Sequence, residues 1–143
     1  MDVSTISAVA LRLGPGEDLI ERLERLVGER GIEAACVLTC VGSLRRAVIR
    51  FADQNEWTAI DAKLEIVALT GALSRHGGHY HVALSDGQGR TIGGHIDRGC
   101  LVYTTAEIVL GVLPQLQFRR EYDSATGYPE LAIAPRPDDA QPE

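Results

Sequence analysis

The sequence has no apolar run near the roughly 20 residues that a membrane-crossing helix needs, which excludes a helical membrane protein. Its first residues, MDVSTISAVALRL, lack the basic flank and long apolar segment of a secretory signal, so a cytoplasmic protein is expected. Positive charge is in the minority: 14 Lys and Arg stand against 20 Asp and Glu, a net charge of −6. A domain that grips DNA by its own surface draws most of its affinity from neutralised phosphates, so this balance runs against strong direct binding. Arg45, Arg46 and Arg50 form the densest basic patch left for a nucleic-acid contact. Cysteine is scarce: there are 3, an odd number, with no CxxC pair. Cys36 and Cys40 lie four strand steps apart, about 13 Å, too far for a disulfide between them. Buried neutral thiols in a reducing compartment are expected.

What is present is ordinary globular material. With 143 residues, 45% apolar and 24% charged, the chain can bury roughly two-thirds of its unfolded surface as one domain. ISAVALRL alternates as a strand. From Glu17 to Arg30 the pattern is helical, with Leu19, Leu23, Leu26 and Val27 on one stripe and Gly31 where a terminal glycine belongs. Period two then takes over. CVLTCVGSL and AVIRFAD read as successive strands joined at Gly42-Ser43, DQNEW as a turn, and KLEIVALTGALS as a strand. HYHVALS and RTIGGHI flank DGQG as the clearest hairpin signal in the chain. CLVYTTAEIVLGVL starts as a strand and is ambiguous near Glu107, and QFRREYD adds one more. An α+β domain with a mostly antiparallel sheet of about seven strands and one main helix follows, over residues 1–134. The proline-rich and acidic end, 135–143, is expected to be disordered.

All 4 histidines fall in one window around residues 76–95. A strand alternates faces, so His79 and His81 point the same way while Tyr80 and Val82 point opposite. The DGQG turn brings His95 alongside on the returning strand. Three neutral imidazoles converging from paired strands suit zinc, with other divalent transition metals also accommodated. Such a set leaves a coordination position for water or a substrate oxygen. Asp97, two residues past His95, is a possible outer acceptor for an imidazole N–H or a plain strand-end charge. His76 is at most an outer partner. Rival motifs fail: GQGRTIGG lacks dinucleotide-binding spacing and a following helix, and Ser85 has no base to activate it.

The pieces GSLRRAVIRF, LEIVALTGALS, HYHVALSDGQGRTIGGHI and GCLVYTTAEIVLGVLP, spanning about residues 6 to 122 in order, resemble the "plants and prokaryotes conserved" (PPC) domain in its stand-alone prokaryotic form. The resemblance implies a compact α+β fold that assembles as a homotrimer. It implies that His79, His81 and His95 are zinc ligands, one ion per subunit. Glu65, within LEIV, matches a recurrent family position and is open between a strand-edge charge, an intersubunit contact and an approach to the metal. Prokaryotic members are described as DNA-binding by association with plant members, in which the domain follows AT-hooks. This chain has no such hook, so the implied role is DNA-associated or regulatory and non-catalytic.

The alternative is a zinc-dependent hydrolase or lyase that uses an open water position. Glu65, Asp97 and Tyr103 are then the candidates for a general acid or base.

Overall fold

Residues 2–137 are described by a computed structural model. Strand β1 (Ser7–Leu13) leads through a Gly-Pro-Gly turn into helix α1 (Leu19–Glu29). Asp18 caps the helix, its carboxylate accepting the Ile20 and Glu21 N–H groups at 3.1 Å each, which satisfies donors that no helical carbonyl reaches. Leu19, Ile20, Leu23 and Val27 are buried; Leu26, expected on the same stripe, is half-buried at its edge. Gly31 follows the helix at φ +59, the left-handed geometry of a glycine stop.

The next element corrects the sequence reading. CVLTCVGSL and AVIRFAD are one strand, β2 (Ala35–Arg50), 16 residues long. Gly42-Ser43 is not a turn between strands. It is a register shift within β2, with Gly42 at φ +144 and placed so that a Cβ there would collide with the Thr105 carbonyl. Close backbone approach, not chain reversal, requires this glycine.

A short strand, β3 (Thr58–Ile60), pairs with Ala47–Ile49. Strands β4 (Leu64–Ser74), β5 (Gly77–Ser85) and β6 (Thr91–Ile96) follow as antiparallel neighbours. Strand β7 (Leu101–Val112) is extended throughout and settles the ambiguity at Glu107, which pairs with Arg12 on β1 and Val41 on β2. Its apolar length fills the monomer: β7 lies between β1 and β2, and Val102, Ala106, Ile108 and Leu110 are all buried.

Strands β6 and β7 lie one after the other along the same edge of β2, with Ile96 opposite Ile49 and Leu101 opposite Arg46. The circuit β2–β4–β5–β6–β2 therefore closes on itself. Leu44, Ile49, Leu73, Leu84 and Val102 fill the interior under α1.

Strands β8 (Leu116–Asp123) and β9 (Tyr128–Pro135) form a separate hairpin. A two-stranded hairpin alone is marginal in water, and this one is tied down. Phe118 donates its N–H to the Glu33 carbonyl at 2.8 Å, and Ser74 Oγ donates to the Phe118 carbonyl at 2.9 Å. The Glu33 carboxylate accepts from Gln117 and faces His76 Nε2, each at 2.9 Å. These contacts hold it below the usual carboxylate range, the Gln117 hydrogen bond foremost. Strand β9 was not expected from the sequence, and the order runs past residue 134: Pro135 ends β9, and Arg136 donates to the Gln115 carbonyl at 2.7 Å. The expectation of disorder over 138–143 lies outside the described residues.

All three cysteines are free thiols. Burial pushes Cys40 and Cys100 up to about 11, leaving about one thiolate in a thousand at pH 8. At that pH a thiol reagent should label the native protein at Cys36 alone, with the other two appearing after denaturant. Rapid labelling of all three in the native state would contradict this packing.

Candidate metal centre

The centre is built from strand alternation. Tyr80 and Val82 point into the interior, each 4% exposed, and so His79 and His81 point outward. The β5–β6 register sets His95 directly opposite His81. The turn between them is closed by the Asp86 N–H to the Arg90 carbonyl and the Gly89 N–H to the Asp86 carbonyl, each 2.9 Å.

The glycines of the motif have steric causes. A Cβ on Gly94 would lie 2.6 Å from the Arg50 carbonyl oxygen, and one on Gly93 would lie 2.5 Å from that of Val82. The pair lets β6 fit tightly between β2 and β5 just before His95. On the other side, the Tyr80 ring lies over Gly71 and Gly78, at neither of which a Cβ would fit. The Tyr80 hydroxyl is buried without a hydrogen-bond partner, and burial raises its pKa. Tyr80→Phe, which removes that cost and keeps the ring, should leave the protein as stable or more stable by about 1 kcal/mol; a thermal midpoint lowered by several degrees would reveal a partner for the hydroxyl.

The three rings converge. His95 Nδ1 is 3.0 Å from His79 Nε2 and 3.2 Å from His81 Nε2, and all three ligand atoms lie within 4.8 Å of one another. One ring nitrogen carries either one hydrogen or one lone pair, so Nδ1 cannot satisfy two neighbours at once. The spacing suits donors to a shared ion: nitrogens about 2.0–2.1 Å from a tetrahedral zinc stand roughly 3.3 Å apart. Burial, foremost, holds His79 and His95 below the usual imidazole range. For His79 the next causes are His81 and Arg120; for His95 they are Arg50 and His81. Both rings are thus neutral near pH 7, the form that ligates metal. Among the described residues no fourth His, Cys, Asp or Glu joins the group.

The other candidates scatter. Asp97 Oδ1 accepts the Arg98 N–H at 2.7 Å and stands outside the cluster. Glu65 pairs with Ser85, four strand steps from His81 or about 13 Å, so within one chain it does not approach the imidazoles. His76 faces Glu33 and serves the hairpin anchor. Tyr103 lies under the Lys63 ammonium, 4.7 Å from its ring centre. The arginine patch divides: Arg45 is exposed, Arg46 is bound to both carboxylate oxygens of Asp61 at 2.8 and 2.9 Å, and Arg50 lies beside His95, its β-sheet partner.

One neighbour had no signal in the sequence. Arg120, on β8, donates to the carbonyl of Ala72 at 3.4 Å, and Ala72 is paired with His79. Only the docking of the hairpin brings it there. Glu130, on β9, exerts the opposite charge on His79.

Known proteins share this sequence and fold. A 135-residue segment covering 94% of this chain is 47% identical to part of a bifunctional protein GlmU from a Synechococcus species, and the chain spans only 21% of that relative's length. A hypothetical protein from Salmonella has the same fold with a TM-score of 0.93, at 39% identity over 94% of this chain and 98% of its own. A metal-containing protein from Archaeoglobus fulgidus has a TM-score of 0.77, at 30% identity over 92% of this chain and 99% of its own. Residues 2–114 match the Plants and Prokaryotes Conserved (PCC) domain, a stretch that takes in β1 to β7 and every imidazole of the centre, and to that family this chain belongs.

Proposed function

We propose that the chain is a metal-binding assembly module. It holds one zinc ion per subunit on His79, His81 and His95, associates as a homotrimer in the cytoplasm, and plays a DNA-associated or regulatory part rather than a catalytic one. The observation that carries the metal is the approach of two imidazole nitrogens to His95 Nδ1 at 3.0 and 3.2 Å. The residues fit the ion in kind, number and spacing. A relative of similar fold from Archaeoglobus is itself described as metal-containing.

Self-association draws support from an exposed apolar face of the sheet. The apolar run of β7 is interior, whereas Leu38, Val41 and Val67 on adjacent β2 and β4 are each at least half exposed, at 50%, 53% and 59%. Aliphatic groups clustered in this way are what subunit contact covers. The presence of a similar segment within a longer bifunctional protein fits a module carried by other chains. Direct DNA binding draws little support: of the three patch arginines, Arg46 is neutralised by Asp61 and Arg50 is half-buried beside the imidazoles rather than on an open basic face. The DNA association is thus assigned to partners of the assembly.

The test is elemental analysis of untagged protein combined with its mass in solution. One zinc per chain and three times the chain mass are expected; metal-free protein or a monomer would overturn the corresponding half. A second reading, a zinc-dependent hydrolase or lyase, is favoured by the absence of a fourth protein ligand among the described residues. Against it, Glu65, Asp97 and Tyr103 all stand away from the imidazoles. Metal-dependent ester hydrolysis lost in His81→Ala would favour the enzyme.

A further inference from the structure

We propose that the three-imidazole centre is the floor of a binding site for a small oxyanion, the carboxylate or phosphate group of a small molecule, with Arg50 and Arg120 as its walls. The inference rests on the metal-binding reading above and concerns what occupies the position that the protein leaves open.

Two arginines flank the strands that carry the cluster, one on β2 beside β6 and one on β8 against β4. Arg50 stands on β2 in register with His95 on β6. Arg120 comes from β8 and bonds the carbonyl of Ala72, the β4 partner of His79. Both side chains are half-buried, yet among the described residues neither forms an ion pair, whereas Arg22, Arg25, Arg46, Arg75, Arg90 and Arg98 all do. Partly desolvated guanidinium groups without carboxylates are costly unless an anion arrives.

Arg50 is also held in place. One Nη donates to the Gln54 carbonyl at 3.1 Å, and the group lies 5.7 Å from the centre of the Trp57 ring. That leaves the rest of its donor fork free in a fixed orientation. A planar oxyanion can place one oxygen on the metal and offer another to a guanidinium fork. Glu130, on the hairpin that carries Arg120, is the opposing charge, and a divalent ion with two arginines outweighs it.

Charge selects the size of the ligand. A small oxyanion meets only this local positive field, while a long polyanion meets a chain of net charge −6, including Glu121 and Glu130 on the adjoining hairpin.

The experiment uses full-length protein loaded with cobalt(II), whose visible bands report changes in its coordination. Phosphate and acetate are titrated separately, with chloride as control and a short DNA duplex as a further arm. Phosphate, acetate or both should shift the bands saturably, and the stronger of the two identifies the ligand chemistry. Arg50→Gln and Arg120→Gln should each weaken the midpoint about tenfold, the effect of one lost charged hydrogen bond, at unchanged cobalt content. Cobalt not retained would fell the metal reading and this one with it. Cobalt retained, with bands that neither anion moves, that chloride moves as well, or that both variants reproduce unchanged, would overturn this inference alone. Bands moved by the duplex but by neither small anion would overturn it in favour of a polyanion.

Discussion

Replacing His81 by alanine should empty the metal centre and leave the fold standing. His81 is exposed on the outer face of β5, so its truncation opens no cavity. Its removal leaves His79 and His95, two nitrogens where an open zinc site needs three. Outer partners of metal ligands are already worth about 10–100-fold in affinity, so losing a ligand should cost at least a hundredfold. Elemental analysis should find zinc reduced from one per chain to a trace, and the stabilisation that zinc gives the parent should vanish, because an ion that binds only the folded state raises its stability by mass action. The control is His76→Ala. That ring lies on Glu33, outside the cluster, and its loss should leave zinc content unchanged. Unchanged zinc in His81→Ala, or equal loss in both variants, would refute the ligand set.

The second large effect is expected at a residue with no chemistry. Gly94→Ala places a methyl group 2.6 Å from the Arg50 carbonyl oxygen and 2.9 Å from Ile49 Cγ2. The first obstacle is backbone and cannot rotate aside. Strand β6 must therefore move off β2 at the pairs Ile49–Ile96 and Arg50–His95, opening the strand circuit where it closes. Overpacking of this kind costs about 1–3 kcal/mol or more, and we expect a loss of about 3 kcal/mol in denaturant unfolding. Zinc affinity should fall as well, since His95 is carried away from its partners. Gly87→Ala is the matched control, because a Cβ there meets nothing within 4 Å. A Gly94→Ala protein as stable as Gly87→Ala would show that β6 is not confined as described.

The convergence of the three histidines was legible in the sequence because it depends on local rules. Strand alternation fixes which side His79 and His81 face, and a short turn fixes which residue returns opposite them. Rules of that range fail where tertiary contact decides. Gly42 resembles a chain reversal in one dimension, and only the approach of Thr105 in space shows why it is glycine. Arg120 is about 40 residues from His79 in the chain and reaches it through Glu33, Ser74 and Phe118, a set of anchors with no periodicity. Strand β9 was invisible because its exposed Tyr128, Leu131 and Ile133 pair only with β8 and pattern no core. The apolar stretch of β7 could have served an interior or an interface equally well until its place between β1 and β2 was known.

The position of β7 has a consequence for how the protein is made. Strand β1 precedes the other strands, but among the described residues its sole sheet partner is β7, with Ser7 opposite Val112. The same late strand lines one flank of β2 from Ala35 to Arg46. A nascent chain on the ribosome therefore holds β1 unpaired and β2 with one flank largely open until residue 112 has emerged from the exit tunnel, and contacts so distant in sequence make for slow acquisition of structure. The domain can take shape only once β7 is free to pair, and a stall before that strand would leave apolar strands open to the wrong partner.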